Sequence, residues 1–137
     1  MYSVIIYGGK MVDGTGGVAY KSDIAIKDGK IVAIEQDLKN CQADLKINAD
    51  GLVVAPGFID MHSHTDASVF RNPLAESKIM QGITSDVTGN CGIGAFPVVE
   101  NKAAELEKYL TLHNHTAPAD GSRWQSFAEY ADKLDTI

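Results

Sequence analysis

The chain has 137 residues, room for one small domain or one and a half, and 45% of them are hydrophobic. Twelve Lys and Arg stand against 18 Asp and Glu, and this net charge of −6, with the basic residues scattered, makes nucleic acid and anionic membranes poor partners. No apolar run approaches the ~20 residues that span a bilayer. The opening MYSVIIYGGK lacks the basic start of a signal peptide, and two cysteines, Cys41 and Cys91, are too few for a disulfide scaffold, so a cytoplasmic location is the default expectation.

In chain order, the first half reads as β structure. Two short apolar runs flank Gly8-Gly9, and a turn is expected at DGTGG from Asp13 to Gly17. The stretch SDIAIKDGKIVAIEQD places Asp28-Gly29 between apolar runs, a hairpin signal because a type I′ turn needs positive φ at both central residues. From Leu52, LVVAPGFI is continuously apolar, as in a strand buried on both faces, with Pro56-Gly57 dividing it into two pieces. A helix is expected within RNPLAESKIMQG, with Asn72 as N-cap, Pro73 at the first helical position and Gly82 beyond the end. A strand at ITSDVT follows, then helices from Glu100 to about Leu112 and from Trp124 to Leu134, the last with capping-box spacing at Ser122 and Gln125. Strands alternating with helices in the second half imply βα units and a parallel sheet.

The chemistry concentrates after the apolar run, in GFIDMHSHTDAS. His62 and His64 are one residue apart, so on a strand they face the same way, about 7 Å apart at ~3.3 Å per residue. Where the strand loosens into a loop, both imidazoles can turn onto one ion. An H-x-H pair alone is weak evidence, and the chain carries its own control: His113 and His115 follow a charged helical run and read as exposed polar residues. Cys91 closes a strand candidate among Gly89, Gly92 and Gly94, where the backbone can approach a ligand closely. A buried inert thiol is the commoner fate of a free cysteine. A thiolate at one strand end beside an H-x-H at another nonetheless suits a borderline-soft ion such as zinc. Asp60 could orient a ligand from behind.

VVAPGFIDMHSHTD together with GITSDVTGNCG resembles the amidohydrolase superfamily and, within it, the N-acyl-D-amino-acid deacylases, or D-aminoacylases. The lead-in GGKMVDGTGG and SDIAIKDGKIVAI is similar to that family's small β-sandwich. The resemblance implies an α/β fold: sandwich strands over 1–55, then over 56–137 the first βα units of a (β/α)₈ barrel, truncated. It implies that His62 and His64 bind one zinc and that Cys91 takes the place of a bridging carboxylated lysine at a second; it assigns no role to Asp66, for which a contact to the ligands or substrate and a solvated carboxylate are the two readings, while Asp60 is the candidate to orient a ligand. It implies further that a zinc-activated water cleaves an N-acyl-D-amino acid to a carboxylate and a D-amino acid. The catalytic aspartate and two more histidines are expected beyond residue 137, since such a barrel needs ~250 residues. The chain alone is therefore expected to be inactive and, with open strand edges, to self-associate. The alternatives are a hydantoinase-like or dihydroorotase-like cyclic amidohydrolase, which would use a lysine-derived bridge, and a non-catalytic β-rich interaction module. Ser85-Asp86 departs from the family's apolar second strand and requires a donor for Asp86.

Overall fold

The computed structural model describes residues 1–112 and 123–137. The fold is mixed α/β, and the chain divides into two compact units, Met1–Pro56 and Gly57–Ile137.

The first unit is built on sheets. Strands β1 (Tyr2–Tyr7), β4 (Asp23–Lys27), β5 (Lys30–Glu35) and β6 (Ala43–Asn48) form a four-stranded sheet in the order β5-β4-β1-β6. Here β1 runs antiparallel to β4 and parallel to β6. The β4–β5 hairpin turns at Asp28-Gly29, both residues with positive φ (51° and 72°), as a type I′ turn demands. Ile5, paired with Ala25, is wholly buried with it and with Leu38. The buried Asp23 carboxylate stays satisfied by accepting from Gly8 N and Leu38 N, each at 2.9 Å. A second sheet of short strands, β2 (Lys10–Met11), β3 (Tyr20–Lys21) and β7 (Val53–Val54), has the order β3-β2-β7. Close approach here depends on Gly9, where an added Cβ would lie 2.5 Å from Val54 Cγ2.

In the second unit, β8 (Phe58–Asp60) and β9 (Ile83–Asp86) pair in parallel, joined by a crossover carrying the one-turn helices α1 (Thr65–Ser68) and α2 (Glu76–Ile79). Helices α3 (Ala103–Leu112) and α4 (Phe127–Leu134) follow. The core packs Ala95, Trp124 and Tyr130 with Phe70, Phe96 and Leu134. Within it the Phe70 and Trp124 rings lie 4.8 Å apart, and Tyr130 meets Trp124 edge-on at 5.2 Å.

Three expectations change. The division of LVVAPGFI at Pro56-Gly57 holds, yet its strands are not buried on both faces: Val53, Phe58 and Ile59 are 61%, 63% and 62% exposed. An apolar run records a preference for burial, whereas actual burial needs a covering layer. The helix expected from Pro73 starts at Glu76, because Ala75 takes a left-handed φ of 44° and Asn72–Ala75 closes a turn instead, Ala75 N donating to Asn72 O. The cap of the last helix lies four residues later than expected: Ser126 is the N-cap and accepts from Glu129 N, while Glu129 Oε2 accepts from Gln125 N, and Ser122 lies outside the described residues.

Candidate functional site

The two strands of the parallel pair end side by side, which fixes where their following loops begin. Beyond β8 the pairing continues irregularly: Val87 N donates to Asp60 O at 2.8 Å and Ser63 N to Val87 O at 3.1 Å. The H-x-H loop is thereby held against the chain leaving β9. Asn90 strengthens the attachment, its Nδ2 donating to Val87 O at 2.8 Å and to Ser63 O at 3.3 Å. Cys91 follows in a short 3₁₀ turn over Asn90–Gly92, with φ of 59° between the positive-φ glycines Gly89 and Gly92. Left-handed backbone at a cysteine costs of the order of 1–2 kcal/mol and turns the thiol toward the neighbouring loop.

This placement brings His62, His64 and Cys91 together. One ligand atom from each lies within 4.8 Å of the others. His62 Nε2 is 3.2 Å from Cys91 Sγ, and the two imidazole rings stand edge to face with centroids 5.5 Å apart. His62 and Cys91 are exposed and His64 half-buried, so the cluster is open to solute.

The carboxylates expected near it behave differently from one another. Asp60 Oδ1 accepts from His62 N at 3.1 Å, which braces the backbone of a cluster residue. Its other oxygen accepts from Lys78 Nζ. That hydrogen bond, and next the His62 N–H, hold the Asp60 carboxyl below the usual carboxylate value, while the same bond to Asp60 raises the Lys78 ammonium. Asp66 is only 4% exposed; its Oδ2 accepts from Ala95 N at 3.1 Å, and its backbone carbonyl accepts from Tyr130 Oη at 2.9 Å. It is thus a buried brace on the segment after Cys91 rather than a solvated carboxylate, and it is not one of the three clustered donors. Asp86 finds donors for one oxygen, its Oδ2 accepting from Thr65 Oγ1 at 2.7 Å and Ser63 Oγ at 3.3 Å, while its buried Oδ1 accepts no hydrogen bond and faces the Lys78 ammonium at 3.5 Å as an ion pair. Lys78, Ser63 and Asn90 were not singled out by sequence reasoning. The sequence carries no direct signal for them, since only the register of β8 on β9 makes Asp60 and Asp86 neighbours that call for a cation between them. His113 and His115 lie outside the described residues.

The sequence profile of the amidohydrolase family matches residues 46–137, two thirds of the chain and all of the cluster. The chain belongs to the amidohydrolase family. Among its curated amidohydrolase relatives, the D-aminoacylase of Alcaligenes xylosoxydans xylosoxydans is 37% identical over 139 residues, covering 97% of this chain and 26% of that protein. The N-acyl-D-glutamate deacylase of the same organism is 46% identical over 105 residues, 75% of this chain and 21% of the relative. Among solved structures, the N-acyl-D-glutamate deacylase of Bordetella bronchiseptica, in complex with zinc and a phosphonate mimic of the tetrahedral intermediate, superimposes with a TM-score of 0.81 at 36% identity. That match covers 98% of this chain and 27% of the other. The chain therefore spans about a quarter of the length of the relatives it matches. Among the described residues, no helix is long and apolar enough to cross a membrane.

Proposed function

We propose that this chain is the metal-binding opening of a zinc-dependent amidohydrolase that cleaves the amide bond of N-acyl-D-amino acids, releasing a carboxylate and a D-amino acid. The observation that carries the reading is the convergence of His62, His64 and Cys91 beyond two adjacent parallel strands. Two imidazoles and a thiolate are a borderline-soft donor set suited to zinc. The 3.2 Å between His62 Nε2 and Cys91 Sγ is near the ~3.6 Å between neighbouring corners of a tetrahedral ion with bonds of ~2.1 and ~2.3 Å. Bound there, zinc would polarise the amide carbonyl and make water nucleophilic near neutral pH.

In this reading His62 and His64 are ligands with Cys91 as the thiolate ligand beside them. Asp60 holds the His62 backbone, and Asp66, through the Ala95 amide, fixes the loop after Cys91. Met1–Pro56 supplies strands of a small β-sandwich, and Gly57–Ile137 supplies the first βα units of a (β/α)₈ barrel, a role supported by the parallel β8–β9 pair with helices in its crossover. In this reading the catalytic aspartate and further histidine ligands belong to the part of such a barrel, ~250 residues in all, that the chain does not span, since it covers about a quarter of the relatives' length. Among the described residues the cluster supplies three donors and no further group placed as a general base, so no turnover is expected of the chain by itself. The substrate is a small N-acyl amino acid, and Cys91 in place of a lysine-derived bridge favours the D-aminoacylase branch over hydantoinases and dihydroorotases.

The test is product release by the chain joined to whatever its gene encodes after Ile137. D-amino acid liberated from N-acyl-D- but not N-acyl-L-amino acids, and lost on Cys91→Ala, is the expected result. Ring opening of hydantoins or dihydroorotate in preference to this would assign the cyclic-amide branch instead.

A further inference from the structure

Asp60 and Asp86 are Cα partners in the β8–β9 ladder, so two carboxylates leave adjacent strands at the same level and toward the same side. Like charges directly opposite one another across a strand pair are destabilising. One side chain resolves the conflict. Lys78, from α2 in the crossover, places its Nζ 2.5 Å from Asp60 Oδ2, 3.5 Å from Asp86 Oδ1 and 3.0 Å from Ser63 Oγ. Its side chain is only 20% exposed, so these contacts are screened less than those of a surface pair.

Each contact leads to the three-donor cluster. Asp60 accepts the His62 amide with its second oxygen. Ser63 lies between His62 and His64, and its carbonyl accepts from Asn90, the residue before Cys91. Asp86 closes the strand that leads to Cys91 and accepts from Thr65, the residue after His64. A single ammonium therefore ties both sides of the cluster at once.

We propose that Lys78 is a positioning residue of the metal centre, setting the separation of the His62/His64 loop from Cys91 by neutralising the paired strand-end carboxylates Asp60 and Asp86. The proposal rests on the zinc-site reading above. Without the ammonium, Asp60 and Asp86 repel and the two loops part, so the donors no longer meet at one place. Lysine is suited to the task as a compact point charge that here donates to Asp60 and Ser63 on one segment of chain and pairs with Asp86 on another.

Cobalt(II) titration of the chain tests both layers. Wild type is expected to bind with a thiolate-to-cobalt charge-transfer band that Cys91→Ala abolishes. Lys78→Met, which keeps an unbranched stem and removes the charge, is expected to weaken cobalt binding roughly 10–100-fold at temperatures well below its unfolding transition, with the thiolate band returning at saturating metal. Lys78→Arg should recover part of the loss. Wild-type affinity in Lys78→Met overturns the proposal and leaves the zinc reading standing; absence of a Cys91-dependent band in wild type overturns both. If Lys78→Met does not fold, Lys78→Met combined with Asp60→Asn decides, since the asparagine keeps an oxygen for the His62 amide and removes one of the two like charges that Lys78 neutralises. A folded chain with cobalt affinity near that of wild type is then expected, and a chain that still fails to fold or binds cobalt at least 10-fold more weakly refutes the role.

Discussion

Gly57 immediately precedes β8 and leaves no room for a side chain. An added Cβ would lie 2.1 Å from Thr84 Oγ1, 2.3 Å from Thr84 Cγ2 and 2.7 Å from Thr84 Cβ. Because the crowding includes the root atom of the threonine, rotating its side chain does not relieve it. Reaching an ordinary carbon–carbon contact of ~3.5 Å requires β8 and β9 to move apart by about 0.8 Å. Overpacking of this kind costs about 1–3 kcal/mol. For a unit of the size of Gly57–Ile137, a loss of 2 kcal/mol corresponds to a fall in Tm of about 8–16 °C. The chain's single tryptophan, Trp124, sits in the core of that unit, so its fluorescence reports the transition in Gly57→Ala. Thr84→Gly in the same chain removes every crowding atom and should return a large part of the loss. Gly89→Ala is the control, since its Cβ meets nothing within 4 Å and carries only the strain of a φ of +78°. The reasoning fails if Gly57→Ala melts within about 2 °C of wild type, or if the Gly57→Ala and Thr84→Gly effects simply add.

Tyr130→Phe removes the donor to the buried Asp66 carbonyl and should cost about 1–3 kcal/mol in urea unfolding. Burial, and secondarily the Asp66 charge, push the Tyr130 hydroxyl up to about 12, so above its ordinary value of 10.0 the unfolded chain ionises first. Stability should consequently fall between pH 10 and 12 more steeply in wild type than in Tyr130→Phe; parallel profiles would contradict the assignment. The exposed Phe58 and Ile59 on a two-stranded sheet with open edges predict concentration-dependent self-association in sedimentation velocity, and a monomer across the concentration range would refute it.

What the sequence disclosed follows from the range of the interactions involved. The Asp28-Gly29 hairpin and the break at Pro56-Gly57 were legible because backbone chemistry at one or two residues dictates them. Gly82, with φ of 76°, closes the α2 turn for the same reason. The cap of α4 was misplaced because two serines four residues apart, Ser122 and Ser126, both offer a capping partner three positions on, and spacing alone does not choose between them. The strained Ala75 that delays α2 left no sequence signal, since alanine ordinarily extends a helix. The donor triplet was legible through its motif. Its scaffold was not: Lys78 acts across 18 residues to Asp60, and only the register of β8 on β9 reveals that Asp60 and Asp86 are neighbours. Burial of LVVAPGFI was overread because composition states what a segment prefers to contact, never what is there to cover it.

X-ray absorption at the zinc edge of the metal-loaded chain tests the convergence of His62, His64 and Cys91 most directly. The account predicts a sulfur scatterer at ~2.3 Å together with imidazole nitrogens at ~2.0–2.1 Å, the sulfur vanishing in Cys91→Ala and the imidazole signature weakening in His62→Ala. A first shell of light atoms alone, identical in wild type and Cys91→Ala, would show that the thiol and the imidazoles hold no common ion.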